Sequence, residues 1–141
     1  MKKVVNIEQA RILTITKLTT PMEYLDIAIK LIICLSVLNV WLLRAKKPTQ
    51  WRGGDAGSLQ DEFKAYGLSP EMMRLIGVVK IILSLILLFS IFYPQAENIG
   101  AIGMAIMMVG AIGMHIKIND PIKRSLPAFI FLTLSLILVF L

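Results

Sequence analysis

Long apolar runs separated by short polar stretches dominate the chain. An apolar helix needs about 20 residues to cross the roughly 30 Å hydrocarbon core of a bilayer. Four runs approach or reach that length, namely residues 24–43, 72–93, 98–116 and 126–141, of which the last is the shortest. The pattern therefore predicts an all-α membrane protein, with a bundle of four transmembrane helices and a single domain over residues 1–141.

The first connection, residues 44–71, is the only sizeable polar segment between the predicted spans, and its pattern indicates a short amphipathic helix. Ser58 precedes Leu59 and Phe63 at helical spacing, and Gly67 can end the helix in a left-handed conformation. We therefore expect a helix over residues 58–66. It either closes the mouth of the bundle as a lid or lies in the membrane interface.

Composition supports a membrane protein and excludes several kinds of site. Of the 141 residues, 57% are hydrophobic and 17% are charged, which is too apolar for a soluble domain of this size. The single cysteine, Cys34, excludes an internal disulfide and a cysteine-based zinc site. One histidine and one cysteine on different predicted helices cannot make a haem or metal site by themselves. We therefore expect no metal site and no encoded cofactor. The amino-terminal tail lacks the apolar core of a signal peptide, so we expect it to be retained.

Basic residues are distributed unevenly between the two sides of the predicted bundle. The first and third connections, together with Arg74 at the start of the second span, carry nine lysines and arginines, whereas the amino-terminal tail carries four and residues 93–99 carry none. The positive-inside rule then places both termini outside the cytoplasm. The net charge of +6 fits attraction of these flanks to anionic lipid headgroups, so membrane lipids are the expected partners. No basic surface interleaved with aromatic residues suggests a nucleic-acid partner.

One cation, Lys80, interrupts the second apolar run. A lysine at the centre of a bilayer costs about 2.5 to 3.5 kcal/mol on insertion scales. Gly77 and Ser84 share its helical face, which indicates contact with protein rather than lipid. Either the long stem lets the ammonium reach the headgroups, or Lys80 faces inward to a cavity roofed by the first connection, with Glu62, Asp120 or a bound anionic or carbonyl-bearing ligand as its partner.

Two further patterns concern packing between helices. Gly100, Gly103, Gly110 and Gly113 lie on one face of the third span, where small residues allow close helix contacts. They indicate packing inside the bundle or, alternatively, the interface of a homo-oligomer. Asp26 and Lys30 are four residues apart on the first span and can pair with each other.

The order of several motifs resembles that of the DoxX-like family of small bacterial four-helix membrane proteins. These motifs are WLLR at 41–44, RGG at 52–54, EF followed by YGL within 62–68, the intramembrane lysine, and HIKINDP at 115–121. The resemblance covers roughly residues 36–132 and implies a four-helix bundle in the bacterial cytoplasmic (inner) membrane. It also implies an association with quinol or thiosulfate oxidation and with membrane redox complexes.

Two classes of function follow. In the first, the protein binds a quinone or similar lipophilic ligand near Lys80 as an accessory of an electron-transfer system, and a partner redox protein supplies the electrons. In the second, it is a non-enzymatic assembly factor or interaction module. Whether it catalyses a reaction stays open. The candidate ligand-binding residues are Lys80, His115, Asn39, Glu62, Arg52, Trp51 and Asp120.

Overall fold

The computed structural model describes residues 6–18 and 21–141, and this part of the chain is helical, with no strand. Its α-helices are α1 (Ile7–Leu18), α2 (Pro21–Leu38), α3 (Leu59–Ala65), α4 (Pro70–Phe89), α5 (Glu97–Lys117) and α6 (Ile122–Phe140). Among the described residues, four helical segments are long and apolar enough to cross a membrane: Pro21–Leu43, Pro70–Phe89, Pro94–Lys117 and Ile122–Phe140. The predicted all-α fold with four transmembrane helices is confirmed. The sequence pattern does not predict α1.

The four long helices form a closed ring, because α2 packs against α4, α4 against α5, α5 against α6, and α6 returns to α2. Each contributes a side chain at most 1% exposed to the common core: Ile33, Leu87, Met104 and Leu138. Leu87 and Leu138 lie near the carboxyl ends of α4 and α6, whereas Met104 lies near the start of α5. The densest packing is therefore in the half of the bundle that adjoins the short second connection, residues 90–96.

At the other end of the bundle, α2 continues directly into a π-helical segment, Asn39–Leu43. The Arg44 amide donates to the carbonyl of Asn39, five residues earlier, at 2.8 Å. This wider turn changes the direction in which the last side chains of the span point, and such turns are common at functional sites.

The first connection is folded, and its helix α3 forms where the sequence predicts. The Ser58 side chain accepts a hydrogen bond from the Asp61 amide at 3.1 Å, and Gly67 ends the segment at φ 78°. Leu59, Phe63 and neighbouring Tyr66 are buried against the bundle. Because burying these side chains removes apolar surface from water, α3 is held over the bundle mouth as a lid.

The glycines of α5 divide into two pairs. A Cβ on Gly100 would lie 2.8 Å from Leu87, and one on Gly103 would lie 2.5 Å from Leu83, so α5 approaches α4 closely there. Gly100 and Gly103 therefore serve packing inside the bundle, which was the first of the two alternatives predicted for these glycines. A Cβ on Gly110 or Gly113 would have no atom of the described residues within 4 Å.

Lys30 of α2 is only 2% exposed and is more deeply buried than the predicted pairing with Asp26 required. Its ammonium lies 2.6 Å from Asp26 and 2.5 Å from Glu97, the first residue of α5. The ion cluster of Asp26, Lys30 and Glu97 therefore joins two helices near the second connection.

Candidate functional site

A cavity of about 940 Å³ lies beneath the first connection, in the half of the bundle opposite the packed core. It is bounded by the end of α2, the first connection, α3, α4, α5 and α6. Six of the seven predicted site residues line it, namely Asn39, Trp51, Arg52, Glu62, Lys80 and His115. The seventh, Asp120, lies behind His115 and bonds to it. The fold thus brings the predicted residues to one place from five separate segments.

Lys80 faces this cavity. Of the two predicted alternatives, an ammonium at the headgroups or one that faces inward, the structure has the inward one. Its ammonium lies 5.6 Å from the centre of the Trp41 ring, close enough for a cation–π contact. Within the part of the chain that the structure describes, no carboxylate lies within 4.0 Å of this ammonium and no hydrogen bond satisfies it. Lys80 is therefore a hydrogen-bond donor with capacity to spare inside a membrane-spanning helix.

Trp41 is a site residue that the sequence analysis missed. It lies in the π-helical segment, lines the cavity, and covers Gly77 so closely that a Cβ there would lie 2.5 Å from its ring. The signal in the sequence is Gly77, whose missing side chain makes room for a large neighbour on another helix. Asn39 begins the same turn and lines the same cavity.

Arg52 and Glu62 form a buried clamp within the first connection. The Arg52 guanidinium donates to Glu62 Oε2 at 3.1 Å, to the Arg44 carbonyl at 2.6 Å and to the Lys47 carbonyl at 3.1 Å. Glu62 also accepts from the Gly53 amide at 3.1 Å. A charged pair at this burial needs such additional hydrogen bonds to offset its desolvation. Arg52 consequently shapes the roof of the cavity and keeps few donors for a ligand.

A hydrogen-bonded row continues from this clamp towards α5. The Tyr66 hydroxyl donates to Glu62 Oε1 at 2.7 Å and lies 3.5 Å from His115 Nε2. His115 Nδ1 lies 2.7 Å from Asp120 Oδ2. Since an ionised carboxylate can only accept, Nδ1 carries the proton in this pair. Tyr66, a further residue missed as a site candidate, connects the lid to His115.

Asp120 ties the first connection to the start of α6. Besides His115, it accepts from the Gly54 amide at 3.1 Å and from Arg124 at 2.9 Å, and Arg124 also pairs with Asp55. Burial alone would raise the pKa of Asp120, but the hydrogen bonds from His115, Gly54 and Arg124 outweigh it and hold that pKa below its ordinary value. This carboxylate stays ionised and keeps its partners in place at neutral pH.

The pKa of Tyr66 is shifted in the opposite direction, upwards, which favours the neutral phenol. Burial is the largest cause that raises the pKa of its phenol, and the neighbouring Glu62 carboxylate adds to it by charge and by accepting the phenol proton. The hydroxyl therefore remains a donor over the whole physiological range.

Basic and aromatic side chains line the rim. The Lys123 ammonium lies 6.0 Å from the centre of the Trp51 ring, and Trp51, Arg44 and Arg124 all line the cavity. The described residues contain no group of three or more His, Cys, Asp or Glu side chains placed to hold a metal ion. The arrangement can instead hold a molecule with an apolar body and an oxygen-bearing head.

Comparison with known proteins agrees with the fold. The sequence model of the DoxX-like family matches residues 54–138, which is more than half of the chain and includes α3 to α5 and most of α6. No curated protein and no solved structure matches the chain. The match contains the lid, Lys80, His115 and Asp120 in one continuous alignment. The chain is therefore an integral membrane protein that belongs to the DoxX-like family.

Proposed function

We propose that the protein binds a lipophilic molecule with a carbonyl-bearing head, of which a quinone is the leading candidate, as an accessory of a redox system in the bacterial inner membrane. The observation that carries the proposal is the ammonium of Lys80, which faces the cavity without an ion-pair or hydrogen-bond partner among the described residues. An ionisable group held at membrane depth without a partner is expected to serve a ligand.

The size and lining of the cavity support this class of ligand. Its volume of about 940 Å³ lies within the range of roughly 300 to 1,000 Å³ typical of small-molecule sites. Val37, Leu59, Phe63 and Met107 supply apolar walls, and Trp41 offers an aromatic face beside the cation. A ring with one or two carbonyls and an apolar tail fits such a mixture of surfaces.

A bound quinone would supply the capacity to carry electrons. Lys80 would donate a hydrogen bond to a carbonyl oxygen of the head. His115 would orient the head from α5, with its ring held by Asp120. The electrons would come from a partner redox protein. The alternative, a non-enzymatic assembly factor, would leave the cavity without a quinone.

The first prediction tests ligand retention. The protein is purified in polymer nanodiscs from a quinone-containing bacterial membrane, and the extracted small molecules are identified by mass spectrometry. Wild type should retain a quinone, whereas Lys80→Met should lose it. Methionine has a similar length and removes the donor, and the variant should still fold because an insertion cost of about 2.5 to 3.5 kcal/mol disappears.

Lys64→Met is the matched control. Lys64 lies exposed on α3 and does not line the cavity, so its loss removes one positive charge from the same side of the membrane without altering the site. This control should retain the quinone at the wild-type level. Retention by Lys80→Met equal to that of wild type would overturn the proposal. Purification with a stable partner protein and without quinone would favour the assembly factor.

A further inference from the structure

The seam between α4 and α5 is closed at one end only. Near the second connection, Gly100 and Gly103 lie against Leu87 and Leu83, so closely that no larger residue fits without displacing them. From Gly100 to Gly103 the contact moves three residues forward along α5, while from Leu87 to Leu83 it moves four residues back along α4. Continuing the antiparallel register brings Ile106 or Met107 beside Lys80, and Gly110 beside Ile76.

At the level of Lys80 the seam is open. Lys80, Ile76, Ile106 and Gly110 all line the cavity, which places both walls of the seam on it. Ile106 is nevertheless 65% exposed, so the cavity wall reaches the outer surface of the bundle there. A Cβ on Gly110 would meet nothing within 4 Å among the described residues. An opening at membrane depth therefore leads from the outer surface of the bundle to the lysine.

We infer that the ligand enters sideways from the bilayer, between α4 and α5 and across Gly110, and that it is therefore a molecule dissolved in the membrane. This inference rests on the proposed function. It adds the route, and it assigns to Gly110 the role of the residue that keeps the route open.

The water-facing mouth offers a poorer route. The first connection covers it, and hydrogen bonds to residues 117–124 hold that cover down: Gly54 donates to Asp120, Lys117 donates to the Tyr66 carbonyl, and Arg124 pairs with Asp55. Opening it would break these hydrogen bonds to charged groups and expose Leu59 and Phe63, which pack against the bundle. The open seam requires no bond to break.

The chain supplies its own reporter for this route. Its two tryptophans, Trp41 and Trp51, both line the cavity. A benzoquinone that reaches the cavity quenches indole fluorescence on contact. The probe is a benzoquinone with a decyl chain, mixed by stopped flow with the protein in nanodiscs, and the rate of quenching is measured against probe concentration.

The second prediction compares Gly110→Phe with Gly113→Phe. Both glycines face open space on α5, but only Gly110 lines the cavity, so the two variants add the same ring one turn apart. Gly110→Phe should slow association about tenfold, equivalent to about 1.4 kcal/mol of added barrier. Gly113→Phe should associate at the wild-type rate, and both should show the circular dichroism of wild type.

A second variant adds the bulky group only after the protein has folded, so the result does not depend on whether Gly110→Phe folds. Gly110→Cys is purified and then modified with a reversible benzyl thiol reagent, with wild type as the control because Cys34 is only 1% exposed. Modification should slow quenching, and reductant should restore it. If both forms of the block leave the association rate unchanged, the route is wrong and the binding site stands. If the probe does not quench wild type at all, the proposed function fails together with the route.

Discussion

Lys30 and Lys80 are both lysines within membrane-spanning helices, yet their surroundings differ completely. Lys30 is enclosed by Asp26 and Glu97, whereas the Lys80 ammonium lies beside the face of Trp41 and has no carboxylate within 4.0 Å among the described residues. The sequence shows both lysines, and it shows Asp26 four residues before Lys30. It does not show Glu97, which lies on another helix, so the burial of Lys30 could not be predicted from local spacing. The first lysine joins helices and the second faces a cavity.

The third prediction concerns this ion cluster. Lys30→Met should destabilise the protein, because it leaves the carboxylates of Asp26 and Glu97 close together and without their cation. Breaking a buried ion pair from one side costs about 3 to 5 kcal/mol. The expected result is a clear fall in the melting temperature, measured by circular dichroism in detergent.

The control is the triple variant Lys30→Met, Asp26→Asn and Glu97→Gln. Since it removes the uncompensated charges together with the lysine, it should recover much of the lost stability. A Lys30→Met protein that melts as wild type does would show that the cluster contributes nothing measurable to stability.

At the scale of elements, local signals predict what local physics controls. The apolar runs predict the spans, and Ser58 and Gly67 predict both ends of α3, because caps and periodicity depend on neighbouring residues. The π-helical turn at the end of α2 and the bond from Gly54 to Asp120 depend on contacts between distant segments. The sequence predicts the candidate site residues, but it does not predict the hydrogen bonds between them.

The fourth prediction follows from Asp120, which fastens the first connection to α6. The pKa of Asp120 is below its ordinary value of about 3.9, so its contribution to stability is complete above that pH. The contribution is lost as the pH falls through the lowered pKa, because protonation removes the acceptor for Gly54, His115 and Arg124. Acidification below about pH 4 should therefore shift tryptophan emission to the red as the lid loosens.

Asp120→Asn should show a red-shifted spectrum already at neutral pH. Asp61→Asn serves as the control, because Asp61 lies exposed on α3 and its side chain makes none of these bonds. A spectrum of Asp120→Asn that matches wild type at pH 7 would mean that the lid does not depend on this carboxylate.

The whole molecule divides into a packed half and a half that contains the cavity. The sequence predicts four apolar helices but not this division, because leucine, isoleucine and methionine occur in both halves. The difference arises where α5 meets α4, at Gly103 on one side and Gly110 on the other. The same residue type thus closes the seam at one level and leaves it open at another.

The fifth prediction concerns orientation, which follows from the basic residues of the first and third connections. Gln95 is exposed in the second connection, and the native Cys34 is buried, so Gln95→Cys gives a single accessible thiol among the described residues. A reagent that does not cross membranes should label it from outside intact cells.

Lys46→Cys provides the opposite control, because Lys46 is exposed in the first connection. It should be labelled only in inverted vesicles. Labelling of Gln95→Cys from the cytoplasmic face alone would reverse the orientation and place both termini inside the cell.

The unpaired ammonium of Lys80 also has an electrical consequence. It lies about 15 Å from the start of α4, near the middle of a roughly 30 Å barrier. Moving one elementary charge across the whole barrier at 100 mV involves about 2.3 kcal/mol, so half of the depth corresponds to roughly 1 kcal/mol. A neutral ligand would bind Lys80 equally well in energised and de-energised membranes. The affinity for an anionic ligand would change about fivefold per 100 mV, so the occupancy of the site by that ligand would follow the membrane voltage.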